Sequence, residues 1–155
     1  LDDVWFNQDT QELHIVDYKS TAGRKNEAGN ALEPISLNGV YKEAYKRQMD
    51  VYQWIMRQNG FNVSDKSYFL YVNGDQHFEN GMLDDVSDKA MMNFEVQLIE
   101  YIGNDDWVAN TIKKLKACLD SPHCPEHANS GFGPKGDKQC EYATLFDGIK
   151  EHNLI

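Results

Sequence analysis

The chain has 155 residues, 41% hydrophobic and 12% aromatic, with a formal charge of −10 at neutral pH. That length and apolar content suit one packed domain and argue against a disordered chain. No apolar run approaches the roughly 18 residues of a membrane span, no signal peptide is visible, and three cysteines are too few for a disulfide scaffold.

The first predicted element is a strand over Leu1–Phe6, and the turn-prone Asn7-Gln8-Asp9-Thr10 reads as a hairpin loop. The second strand runs from Leu13 to Ser20. Side chains alternate along a strand, so Leu13, Ile15, Asp17 and Lys19 point one way and His14, Val16 and Tyr18 the other. With Asp9-Thr10 as a two-residue turn, Asp2 falls opposite Asp17. Any even-numbered loop without a bulge keeps Asp2 on that face, whereas an odd one puts Asp3 there; Asp2 is preferred. Two carboxylates and an ammonium then converge, and carboxylates at cross-strand range repel unless a proton or metal lies between them. Mg²⁺ binds through one or two carboxylates plus water and phosphate oxygens, and a neighbouring lysine can orient the water and stabilise charge on a phosphate.

Residues 20–39 form a polar stretch with three glycines and a proline, read as a mobile loop at the site or as disordered. Tyr41–Asn59 reads as an amphipathic helix with Tyr41, Tyr45, Gln48, Tyr52 and Ile55 on its apolar stripe and Gly60 ending it. Gln48 and Tyr52, one turn apart, present an amide beside a phenol. An amide in such a stripe needs hydrogen-bond partners or suffers a desolvation cost of roughly 1–3 kcal/mol. Ser67–Asn73 has the length and apolarity of a buried strand, and Asn93–Tyr101 alternates as a half-buried strand expected to pair with a segment around His77–Leu83. Asp105–Asp120 reads as a helix with Val108, Ile112, Leu115 and Leu119 on one stripe, acids in its first turn and Cys118 packed in the core.

After Pro122 the chain turns rich in Gly, Pro, Asn and Lys. Cys124, His127 and Cys140 could supply three ligands to a structural zinc, with His152, His123 or Cys118 as a fourth. Three reduced, unpaired cysteines are the preferred reading. Charge is uneven: residues 19–47 carry a net +3 and residues 75–106 a net −8. A basic segment beside the site and an acidic far side would orient a phosphate backbone.

The order Asp2, then Asp17-Tyr18-Lys19, then Gln48-Met49-Asp50-Val51-Tyr52 resembles the PD-(D/E)xK nuclease superfamily, in its RecB-type branch with Asp, Asp-Tyr-Lys and Gln-x-x-x-Tyr motifs. The resemblance covers about the first 60 residues with motifs. It implies an α/β restriction-endonuclease-like fold, a central mixed β-sheet flanked by α-helices. It also implies a Mg²⁺- or Mn²⁺-dependent deoxyribonuclease, an exonuclease of DNA repair, recombination or phage DNA processing, that hydrolyses phosphodiester bonds in a cytoplasmic setting. Carried over, Asp2 and Asp17 ligate metal, the Tyr18 carbonyl adds a ligand, Lys19 positions the water, and Gln48 with Tyr52 forms the accessory motif. The implied partners are DNA and a helicase or recombinase, with no membrane.

Some RecB-type tails hold an iron-sulfur cluster; Cys140-Glu-Tyr-Ala143 resembles the start of one, but Ala143 replaces the expected second cysteine, which counts against it. The branch usually has a helix and a histidine before its first acidic strand, so residues 1–121 are expected to be a nuclease core shortened at its amino terminus. Residues 122–155 are expected as an irregular tail packing on that core. The alternative from another class is a catalytically inactive nuclease-fold module that binds nucleic acid or a protein partner.

Overall fold

The computed structural model of the protein describes residues 1–23, 25, 28–29, 31–75, 87–123 and 141–152. Its elements in chain order are β1 (Asp3–Asn7), β2 (Glu12–Ala22), a 3₁₀ turn (Val40–Lys42), α1 (Glu43–Gln58), β3 (Lys66–Asp75), β4 (Asn93–Ile102), α2 (Val108–Leu119) and α3 (Glu141–Glu151). The chain divides into two compact units, residues 1–108 and 109–155. The fold is α/β, built on a mixed sheet in the order β1-β2-β3-β4.

β1 and β2 form an antiparallel hairpin, β2 and β3 run parallel, and β3 and β4 are antiparallel. Parallel neighbours need a crossover connection, and α1 lies in the connection between β2 and β3. The β1–β2 register pairs Asp3 with Val16 and ends at Asn7 with Glu12. The loop therefore has four residues, Gln8–Gln11, rather than the two expected. Asn7 organises it: its Oδ1 accepts the N–H groups of Asp9 and Thr10, and its carbonyl accepts that of Gln11. Four is even, so the facing of the strand is unchanged.

The side of the sheet that packs on α1 carries Leu13 and Ile15 from β2, Phe69 and Tyr71 from β3 and Ile99 and Tyr101 from β4. Met49, Tyr45, Tyr52 and Met56 meet them from the helix, and Val63, Ile35 and Leu37 complete the core. The buried stripe of α1 is rotated from the predicted one. Tyr41 is 74% exposed and Ile55 44%, while Met49, Asp50 and Gln53 are buried. α1 ends where Gly60 adopts a positive φ of 85°, a conformation open to glycine at little cost.

Two further expectations are corrected, one for residues 20–39 and one for α2. Part of the 20–39 connection is ordered against the sheet: β2 continues to Ala22, Leu32 is buried, and Ile35 exchanges two hydrogen bonds with the Gln97 side chain. β4 pairs along its whole length with β3, so its described partner is Lys66–Asp75; residues 77–83, apart from the described set, cannot be compared. Within residues 122–155 the described part includes α3. In α2 only Val108 of the expected stripe is buried; Ile112, Leu115, Leu119 and Cys118 are exposed. Cys118 is therefore not a core residue. Among the described residues no helix is long and apolar enough to cross a membrane.

Candidate active site

Asp17 sits in the centre of β2, paired with Phe69 of β3, and its residue surface is only 2% exposed. A carboxylate there loses most of its hydration and needs a compensating charge. Lys19, two residues on and on the same face, supplies it: Nζ is in direct contact with Asp17 Oδ2. That oxygen has no other partner among the described residues. The strand period thus creates the pair, and the sheet buries it.

The ammonium is held from a second side by α1. Lys19 Nζ donates to Gln48 Oε1 at 3.2 Å, and Gln48 Nε2 donates to the Tyr52 hydroxyl at 2.7 Å. Gln48 lies half-buried at the margin of the helix's packed stripe, where both ends of its amide are used. The Tyr45 ring lies beneath the same ammonium, with Nζ 4.7 Å from its centroid. Asp17, Lys19, Gln48 and Tyr52 therefore form one connected chain of contacts across β2 and α1.

Asp2 lies just before β1, and continuing the β1–β2 register places it opposite Asp17. Its Oδ2 accepts the Tyr18 N–H at 2.7 Å. In a strand the N–H and C=O of one residue project to the same edge, so the Tyr18 carbonyl faces the edge where Asp2 lies. Asp3 belongs to the other side of the sheet. Its Oδ2 accepts the Tyr18 hydroxyl at 2.7 Å and the Trp5 indole N–H at 3.1 Å. The Tyr18 hydrogen bond, with help from the Val4 N–H and Trp5, holds the Asp3 carboxyl below the usual carboxylate range and raises the Tyr18 phenol. The two adjacent aspartates thus have separate tasks.

Among the described residues no three His, Cys, Asp or Glu side chains gather as a metal cage. Two aspartates and a carbonyl on neighbouring strands, with the buried Asp17 Oδ2 in contact with no polar group but the Lys19 ammonium among the described residues, suit a hard ion that keeps several waters and takes oxygens from a phosphate. Cys124, His127 and Cys140, the candidate structural ligands, lie outside the described residues.

Asp50, within the Gln48–Tyr52 stretch, was not singled out from sequence and is the most fully satisfied acid of α1. Its carboxylate accepts the Tyr101 hydroxyl at 3.0 Å, the Asn104 N–H at 3.1 Å and the Trp107 indole N–H at 3.0 Å. Burial, then the bond to Asp50, pushes the Tyr101 phenol well above its ordinary value. Beside it Gln53 Nε2 donates to the carbonyls of Ser64 and Asp65. Both side chains fix the rotation of α1, and with it the position of Gln48. Their partners are 11 to 57 residues away in sequence, so no local signal marks them. On the rear of the sheet a shallow cavity of about 290 Å³ is lined by Trp5, Phe6, Asn7, His14, Tyr68 and Leu98.

No protein-family model matches the chain, and comparison with curated proteins and with solved structures gives no match.

Proposed function

We propose that this chain carries the catalytic site of a metal-dependent deoxyribonuclease of restriction-endonuclease-like fold. The observation that supports it best is the buried Asp17 carboxylate in contact with the Lys19 ammonium, which is itself held by Gln48 and Tyr52. Asp2, Asp17 and the Tyr18 carbonyl would hold Mg²⁺ or Mn²⁺, which when bound supplies Lewis-acid stabilisation of phosphate charge and a more acidic water. Lys19 orients the attacking water in line with the scissile phosphorus and donates to a phosphate oxygen as negative charge grows there. Gln48 restrains the ammonium so that its donors stay aimed, and Tyr52 fixes the amide. Such positioning lowers the barrier because the donors need little reorganisation during the reaction.

The test is cleavage of linear and supercoiled DNA in Mg²⁺ or Mn²⁺. Lys19→Ala and Asp17→Asn are each expected to lower the rate on the order of 10²-fold or more, with melting curves showing that both variants fold. Cutting by Lys19→Ala at the parental rate would sink the assignment. A second reading, a nuclease fold that binds nucleic acid or a protein without cutting, is favoured by one observation: among the described residues only two acids approach the site. It predicts DNA retention with no dependence on Mg²⁺ and no product at any metal concentration.

A further inference from the structure

Lys42 ends the 3₁₀ turn and stands at the N-cap of α1. Its Nζ donates to the Tyr71 hydroxyl at 3.0 Å and lies 4.8 Å from the Tyr71 ring centroid and 5.2 Å from that of Tyr45. Lys19 Nζ lies 4.7 Å from that same Tyr45 centroid. One phenol ring therefore carries two ammonium groups, and the sheet sets this up, because Tyr71 is the β3 partner of Lys19.

The charges around the two lysines do not balance. Lys19 has Asp17, and the nearby Glu43 is taken by Lys46 at 2.7 Å. Among the described residues Lys42 has no carboxylate within ion-pair distance. It also stands at a helix start, where the peptide dipoles present partial positive charge and a cation is disfavoured. The faces of Tyr45 and Tyr71 offset part of this repulsion, but neutral phenols leave net positive charge on the surface between Lys42 and Lys19. Folding does not require a cation there, since a neutral residue would remove the repulsion. An anion bound against both would make use of it.

We propose that Lys42, held between Tyr45 and Tyr71 beside Lys19, is a second phosphate-binding position that takes a phosphodiester flanking the scissile one. The inference rests on the reading of Asp17 and Lys19 as a phosphodiester site, and it narrows the substrate. A site with two phosphate positions selects a polynucleotide strand over an isolated diester or a mononucleotide.

The experiment is binding of a fluorescein-labelled 20-nucleotide DNA, single-stranded and duplex, to the full chain in EDTA, followed by anisotropy over a range of salt. One lost phosphate contact lowers the steepness of log K against log salt by about 0.7 on single strands and about 0.9 on duplex. Lys42→Gln is expected to show that loss on at least one form of the DNA and to bind it several-fold more weakly, while Lys42→Arg keeps the parental slope. If Lys42→Gln melts far below the parent, Lys42→Met, which keeps the aliphatic stem, takes its place in the comparison. A parent that cuts DNA and a Lys42→Gln variant with an unchanged slope on both forms overturn the second position alone. A parent that neither binds nor cuts overturns both readings.

Discussion

A buried carboxylate is a liability unless something holds it charged, and this chain uses two such acids differently. Asp17 leans on a single lysine, an arrangement open to a further ligand, whereas Asp50 is saturated by three donors and is structural. The Asp50 network has a pH signature. Tyr101 is the neutral donor in it, and burial followed by the Asp50 bond raises its pKa above the ordinary 10.0. The folded chain then holds that proton more tightly than the unfolded chain does. Its contribution is complete below about pH 10 and is lost as pH climbs from there toward the raised value. Urea midpoints at pH 8, 10 and 11 should fall more steeply for the parent than for Tyr101→Phe; parallel declines would show that the bond has no weight.

At the scale of elements, α1 is tuned by its contact with the turn after β4. A Cβ built on Gly103 would lie 1.9 Å from Gln53 Oε1 and 3.0 Å from Asp50 Oδ1. Gly103→Ala should therefore cost about 2 kcal/mol, read as a lower urea midpoint at constant m, because overpacking forces the helix or the turn to shift. A cost near zero would mean that this approach is loose. The same contact explains what could be read from sequence. The strands were legible because β alternation is local: Leu13 and Ile15 join the core against α1 with Asp17 on their face, as a period of two requires, although His14 and Val16 on the other face are buried too. Gln48 and Tyr52 were legible for a similar reason, since a four-residue spacing places an amide against a phenol on any helix. The rotation of α1 was not. Polar Asp50 and Gln53 are buried and apolar Tyr41 and Ile55 exposed, an inversion decided by Tyr101, Trp107 and the Ser64–Asp65 backbone, all remote in sequence. The order seen over residues 31–39 was hidden in the same way, because Ile35 owes its place to Gln97.

For the whole molecule, the proposed nuclease reading asks how a chain of net charge −10 would handle a polyanion. On that reading two of its fifteen Lys and Arg residues, Lys19 and Lys42 on one ring, stand where the phosphates would go. A divalent ion at Asp2 and Asp17 would add to that local charge and would bind the folded state selectively. Free metal at 100 times its dissociation constant stabilises by about 2.7 kcal/mol, and at this chain length that corresponds to a rise in melting temperature of about 5–10 °C. Mg²⁺ or Mn²⁺ should produce such a rise in the parent and little in Asp17→Asn. Equal shifts in both would place the ion elsewhere.

The four-residue connection between β1 and β2 bears on how this hairpin withstands change. Were the pairing displaced by one step towards a longer loop, every side chain of β1 would swap sides of the sheet. Asp3 would then arrive across from Asp17 as Asp2 left. The doubled acid at positions 2 and 3 keeps a carboxylate opposite Asp17 in both of these alignments, so the hairpin can drift by one residue in that direction without emptying the position, at the expense of the bonds Asp3 now makes to Tyr18 and Trp5.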